Sequence, residues 1–388
     1  MVITDVRTIP LQVELDEPFM DSRELISYRQ ALLVEVLTDE GIVGLGESAV
    51  WGGPHVTTMT VIERELKPLV VGEDPRFIEG IWTKMYEQSV QHGRRGLLLA
   101  AMGGIDIALW DILGKVAGLP LVQLFGAYRD SVRPYASHGF YQESRTISVL
   151  QDEIEQLKKL GHTAFKMKVG RQNPIPYLKG ADLCVTSLAE DLDRVRAVRE
   201  AIGPSPELII DANNAWTDKV ALRVLDELHD ANIFFLEEPV PTDDIEGSIR
   251  LCARSRTQIG GYETETSRFG FRDLIERRAV DVVQPDCCWT GGISEVRKIA
   301  ALAGMHNMLC VPHSFSSSVA LMTNAHLVGS LANGEFVEWD RTKNPLVEEL
   351  LVAPPKLTPN GRLMIPTGPG LGIELNRDTV ERYRVKQT

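Results

Sequence analysis

The sequence is short of cysteine, of positive charge and of uninterrupted apolar runs, and each shortage removes a class of protein. Its five cysteines, Cys184, Cys252, Cys287, Cys288 and Cys310, show no metal-type pairing. An odd count makes a poor disulfide framework, and with no cleavable leader in view it points to a reducing cytoplasm. Lysine and arginine number 41 against 54 aspartates and glutamates, a formal net charge of −13. Such a chain draws neither nucleic acid nor anionic membranes nonspecifically, so neither is expected as a partner. An anionic small molecule is not excluded, because a bound cation and local lysines set the field inside a site. The apolar stretch Leu97 to Leu109 is broken by glycines and by Asp106, and reads as a buried helix rather than a membrane span.

What is present is ordinary for a globular protein: 44% hydrophobic and 24% charged residues over 388 positions. That length exceeds one usual domain and divides naturally into a barrel of about 200–250 residues plus a second domain.

The middle third carries carboxylates after short apolar runs. Leu208-Ile209-Ile210 delivers Asp211, Phe234-Phe235-Leu236 delivers Glu237, and Gln258 to Tyr262 delivers Glu263. The two intervals, 211 to 237 and 237 to 263, are both 26 residues, about the length of one strand, one helix and two loops of a barrel repeat. Equal spacing places three carboxylates at the C-terminal ends of adjacent parallel strands. One acid alone is as readily a solvated strand end. Three in register suit a hard divalent cation such as Mg2+, which takes oxygen ligands and keeps positions open for water or substrate.

The register continues both ways. Ala164-Phe165-Lys166-Met167-Lys168 puts two lysines on one strand face. Like charges that close lower each other's pKa, which predicts Lys168 as a general base near neutral pH with Lys166 behind it. Downstream, Val282 to Pro285 delivers Asp286, Met308 to Pro312 delivers His313, and Phe336-Val337 delivers Glu338. The expectation is a catalytic barrel.

This set of residues resembles the enolase superfamily, mandelate-racemase subgroup, over nearly the whole chain. The likeness rests on Lys166-x-Lys168, Asp211-Ala212-Asn213, Glu237-Glu238-Pro239, Glu263, Asp286 and His313. Asp340 to Pro345 and the Gly368 to Glu374 run are similar to those of the sugar-lactone cycloisomerases, and acid-sugar dehydratases are equally near. Tyr262 departs from the glycine that relatives carry before the third ligand. The resemblance implies an α/β fold, a modified TIM barrel (β/α)7β over residues 131–345. An α+β capping domain over residues 1–130 would be completed by a returning segment, residues 346–388. Mg2+ would sit on Asp211, Glu237 and Glu263, and a homo-oligomer is expected.

Before the barrel, residues 1 to about 50 read as an antiparallel sheet. Strands begin at Val2–Leu11, a turn lies at Asp39-Glu40-Gly41, and a polar loop spans roughly Asp16 to Tyr28. A second loop runs from Trp51 to His55. In the resembled family two such loops close over the barrel mouth and choose the substrate; otherwise they are surface connections. They supply Arg23, Trp51 and His55 as candidate substrate contacts, Arg23 for a distal carboxylate of a diacid. Helices follow to about Gly126, where Gly118-Leu119-Pro120 is a stop signal. His92, Arg94 and Arg95 are either carboxylate contacts or a solvated helix start. His138 and Tyr141 either touch substrate or cap a loop, and Asn213 would hold water or substrate. Residues 171–187 read as an irregular insertion on the active face.

The chemistry this implies is removal of the proton alpha to a carboxylate in an acid sugar or its lactone. His313, oriented by Asp286, would face Lys168 from the opposite side, and Glu338, if protonated, would donate to the substrate carboxylate. Loss of a beta hydroxyl gives a 2-keto-3-deoxy acid, loss of a ring oxygen gives cycloisomerisation, and proton return gives a racemase or epimerase. Dehydration ranks first. A noncatalytic metal-containing binding protein is the alternative of a different class, favoured only if a catalytic residue were missing.

Overall fold

A long hairpin at the N-terminus reaches over the barrel, further than the polar sequence between its strands suggests. The computed structural model describes residues 1–50 and 53–386. Strand β1 (Ile3–Met20) pairs antiparallel with β2 (Leu25–Thr38), and β2 with β3 (Val43–Ser48). The expected polar loop from Asp16 is therefore mostly strand. Pairing shifts register after Glu14 and resumes at Phe19↔Ile26 and Met20↔Leu25, leaving only residues 21–24 as the turn. The shift hides the period-two pattern. Phe19 and Ile26 are buried with Phe140, and the Phe19 and Phe140 ring centroids are 4.6 Å apart. That apolar contact seats the hairpin on the barrel.

The second turn falls at Asp39-Glu40-Gly41, with Gly41 at φ 77°, a left-handed conformation that costs glycine little. Helices follow, among them Ile78–Gly93 and the buried Leu97–Ala117, which ends at Gly118 as the stop signal predicts. Strand β3 lies hard against this last helix. A Cβ on Gly46 would stand 2.0 Å from the Gly104 carbonyl oxygen, so only glycine fits.

From Ser131 the chain alternates strand and helix. The strands are β4 (Ser131–His138), β5 (Ala164–Lys168), β6 (Glu207–Asp211), β7 (Ile233–Glu237), β8 (Gln258–Gly261), β9 (Val282–Val283), β10 (Leu309–Cys310) and β11 (Phe336–Asp340). They are parallel, in the spatial order β10-β9-β8-β7-β6-β5-β4-β11. The Cys310 amide donates to the Asn333 carbonyl at 2.9 Å, just ahead of β11, which draws the two edge strands together. One helix separates each successive pair, giving a (β/α)7β barrel. Tyr135, Ile209, Phe235, Val282 and Phe336 fill the interior, while Phe165, Met167, Ile210 and Leu236 face the helices.

After the barrel, β12 (Leu363–Met364) pairs antiparallel with β4, and the tail runs back to the hairpin sheet. The Leu371 amide donates to Asp111 at 2.7 Å and the Val385 amide to the Pro10 carbonyl at 2.9 Å. Residues 171–187 are irregular, as expected, and they dock on the hairpin turn. Arg171, fully buried, donates to the carbonyls of Leu183 (2.8 Å), Gly180 (2.6 Å) and Asp21 (2.8 Å).

Candidate active site

Strand alternation sends one row of charged groups into the barrel mouth. On β5, Phe165 and Met167 pack outward, so Lys166 and Lys168 point inward. Asp211 ends β6, Glu237 ends β7, and Glu263 follows β8 after Tyr262. Asp286 and His313 lie just past β9 and β10, and Glu338 is on β11. None of these residues is more than 8% exposed. Tyr262 is accommodated outside the row: its hydroxyl is 2.9 Å from Ser248 Oγ, against the helix Ile245–Arg254.

Lys166 is the hub. Its Nζ lies 2.5 Å from Glu237 Oε1, 2.7 Å from Glu338 Oε1 and 3.5 Å from Asp211 Oδ2. Lys168 donates to the same Asp211 oxygen. Burial works to discharge both ammonium groups, but the carboxylates outweigh it and hold both lysine pKa values above the usual range. This corrects the expectation that the lysines depress one another: Lys166 does lower Lys168, and Asp211 wins. Asp211, despite burial, is held at about 2 by Lys168 and Lys166. Glu338, despite burial, is held at about 2 by Lys166 and His313. It is therefore a carboxylate that accepts the Ser314 amide at 3.1 Å, not a protonated donor. Nor is Arg341 its partner; that guanidinium lies over the Trp339 ring.

On the facing side His313 Nδ1 is 2.7 Å from Asp286 Oδ2, and Nε2 is 3.3 Å from Glu263 Oε2. Burial lowers the imidazole's pKa, but Glu263 and Asp286 together raise it to about 10, so it stands protonated. Trp289 stacks on it, with centroids 5.8 Å apart and planes at 17°. Glu238 accepts the Glu263 amide (3.1 Å) and the Asn214 side chain (2.7 Å), and so orients the third carboxylate.

As the atoms stand, no three His, Cys, Asp or Glu side chains among the described residues form a ready metal cage. The inner oxygens of Asp211 and Glu237 are taken by the two lysines. The donor chemistry nonetheless fits a hard divalent cation. Among the described residues, Asp211, Glu237, Glu238, Glu263, Asp286 and Glu338 crowd around Lys166, Lys168 and His313, with more carboxylates than cations. Burial, then the charge of Asp211, pushes Glu237 up to about 8, and burial also raises Glu263. Asn213 Oδ1, a further hard oxygen, is buried with no hydrogen-bond partner among the described residues. Two positive charges would relieve this crowding.

These groups open on a cavity beneath the hairpin. Lys168, Asn213, Glu263 and His313 form its floor; Asp21 and Gln30 of the hairpin close it above, with Phe140, Trp289 and Phe315 around the side. Several expected contacts lie elsewhere. His138 is one position out of phase with the inward Tyr135 and Ser137, so it faces outward, 3.2 Å from Glu153 on the helix Ile147–Lys159. His55 is buried with Nε2 3.0 Å from the Leu11 carbonyl. Arg23 is exposed and lines a neighbouring groove with Arg95 and Asn214. Tyr141 donates to Asp191 at 2.7 Å, and His92 pairs with Glu65 at 2.7 Å. Arg95 faces Glu265 at 3.6 Å, beside that same groove. Trp51 lies outside the described residues. The sequence reading missed Asp21, Gln30, Trp289 and Phe315. Trp289 and Phe315 closely follow Asp286 and His313, a usable signal; nothing marks the other two.

Fold and site together define a barrel with buried lysines, carboxylates and a histidine gathered at its mouth. Residues 3–126 match the mandelate racemase / muconate lactonizing enzyme N-terminal domain family, and residues 149–379 the enolase C-terminal domain-like family. The chain belongs to the enolase superfamily, in its mandelate racemase group, and is an enzyme of that superfamily. It is 35% identical to arabinonate dehydratase of Saccharolobus solfataricus, covering 99% of this chain and 100% of that one. It is 36% identical to D-galactarolactone cycloisomerase of Agrobacterium fabrum, covering 99% of each. Among solved structures, a racemase from Streptomyces coelicolor with bound magnesium superposes with a TM-score of 0.88 at 29% identity, covering 99% and 100%.

Proposed function

We propose that the enzyme removes the proton alpha to the carboxylate of an acid sugar and eliminates water from the beta carbon, giving a 2-keto-3-deoxy acid. The observation that carries this reading is the placement of Lys168 and His313 on one cavity floor, each backed by its own carboxylate, Asp211 and Asp286. Mg2+ on Asp211, Glu237 and Glu263 would neutralise the substrate carboxylate and take over the negative charge that now keeps both lysines protonated.

Lys168, relieved of its proton, takes the alpha hydrogen as a proton, and the electron pair of that C–H bond forms the enediolate. His313 enters the reaction protonated and gives its proton to the beta hydroxyl as the carbon–oxygen bond breaks, so water leaves. Asp286 holds the imidazole in position throughout. Tautomerisation of the resulting enol places a proton on the beta carbon. Lys166 and Glu338 stay paired below the floor and fix the charge pattern around Lys168. Cycloisomerisation is the second reading, supported by the similarity to the Agrobacterium enzyme; there the group expelled is a ring oxygen.

The test is a library of acid sugars and their lactones incubated with the Mg2+-loaded enzyme. Formation of 2-keto acid from an open acid is expected, with one solvent deuteron at carbon 3 when run in D2O. A product that is an isomer of its substrate would replace dehydration by cycloisomerisation or epimerisation.

A further inference from the structure

The roof of the cavity has a chemistry that the floor does not share. Asp21 Oδ1 accepts the amides of Arg23 (2.7 Å) and Glu24 (2.9 Å), which pins the carboxylate to the hairpin turn. Its other oxygen has no partner among the described residues. Gln30 is pinned as well. His55 Nε2 meets the Leu11 carbonyl at 3.0 Å, so that nitrogen carries the hydrogen and Nδ1 is an acceptor. Gln30 Nε2 lies 3.4 Å from that Nδ1 and 3.2 Å from Gln12 Oε1, so it donates to both. The amide nitrogen is occupied, and Oε1 is what Gln30 offers to the cavity.

Asp21 and Gln30 thus both present acceptors, and one is an anion. Among the described residues the cationic groups lining the cavity are Lys168 and His313, both on the floor. Arg29, although it comes from the same hairpin, is bound to Asp340 (2.7 Å) and to the Phe315 carbonyl (2.8 Å). Among the described residues, a second carboxylate under this roof would meet the charge of Asp21 and no cation, an arrangement that is strongly unfavourable once desolvated. Hydroxyl groups have a proton for each acceptor, and the C–H faces of a polyol or a sugar ring suit Phe140, Trp289 and Phe315.

We infer that the site takes acid sugars carrying a single carboxylate, either an aldonate or the monolactone of a diacid, and rejects open-chain diacids, with Asp21 and Gln30 setting that choice. The inference rests on the proposed chemistry only in assigning the one carboxylate to the floor.

The experiment uses the Mg2+-loaded full chain and matched trios of one configuration: aldonate, open aldarate and aldarate monolactone. Turnover and calorimetric affinity are both measured. The better of the two single-carboxylate acids is expected to exceed the aldarate about tenfold or more in kcat/KM and in affinity. Asp21→Asn keeps a side-chain oxygen for the Arg23 and Glu24 amides and should raise the aldarate several-fold while leaving the others unimproved. Gln30→Met should weaken the single-carboxylate acids by roughly two- to tenfold, the loss of one hydrogen bond. An aldarate equal or preferred, an unchanged ratio in Asp21→Asn, or no binding of any single-carboxylate acid would each overturn the inference. If acids bind but none is turned over, the affinity ratios decide this point and the dehydration reading alone falls.

Discussion

His313 Nδ1 lies 2.7 Å from Asp286 Oδ2 on the side of the cavity facing Lys168. Asp286 is itself held by the Cys288 amide at 2.6 Å, so the imidazole is oriented by a carboxylate that cannot swing away. Asp286→Asn should leave the fold intact and lower turnover by about 10²–10⁴-fold, the range for a general acid or base that loses its alignment. Removing a negative neighbour also lowers the imidazole's pKa from about 10. The alkaline limb of the rate–pH profile should therefore move to lower pH. A limb that stays in place would assign that titration to another group.

Lys168→Ala and His313→Asn should each abolish turnover by a similar factor while one of them still exchanges the alpha proton with solvent deuterium. Exchange is read by NMR and does not need the elimination step. Wild-type turnover in both variants would end the opposed-group mechanism.

Chelation should remove activity and Mg2+ should restore it. Because binding stabilises the folded state by mass action, Mg2+ should also raise the melting temperature. Glu237→Gln removes a negative oxygen donor of the same size, so its calorimetric Mg2+ affinity should fall. A metal-free preparation with full activity, or a melting temperature indifferent to Mg2+, would remove the cation.

Much of this site was legible because a barrel repeat fixes both length and parity. The equal spacing of Asp211, Glu237 and Glu263 forecasts neighbouring strand ends, and the alternation of Lys166 and Lys168 with Phe165 and Met167 forecasts which face points inward. The protonation of the lysines was not legible, since it depends on Asp211 and Glu237, which lie 43 and 71 residues away in sequence. His138 failed on parity alone, one step beyond the inward Ser137. The roof was hidden for a different reason. A register shift between Glu14 and Phe19 disguises the hairpin as a polar loop, so Asp21 and Gln30 could not be placed over the mouth.

Arg171 ties residues 171–187 to the turn that carries Asp21. Arg171→Met would strand the carbonyls of Leu183, Gly180 and Asp21, all of which it now satisfies. The insertion should become open to protease near Lys179, and KM should rise more than kcat falls, because the roof is loosened and the floor untouched. Equal protease resistance in variant and wild type would show that the segment is held by its other contacts.

Asp106 makes the dependence of stability on pH testable away from the site. It is fully buried in the helix Leu97–Ala117 and accepts the Ser294 hydroxyl at 2.6 Å and amide at 3.0 Å. Burial is the largest influence on it and raises its pKa from 3.8 to about 7, against the Ser294 hydrogen bonds. Between those pH values the folded chain keeps this proton while the unfolded chain has lost it. Stability therefore falls as pH rises through this window, by ~1.4 kcal/mol per pH unit and roughly 4 kcal/mol in all as a ceiling. Below pH 3.8 the contribution is fully present, and above about 7 it is gone. Asp106→Asn is neutral at every pH, so the difference in urea unfolding free energy between variant and wild type should shift in the variant's favour from pH 4 to pH 7 and stay flat above. A difference that does not change with pH would mean that Asp106 is ionised in the folded protein throughout.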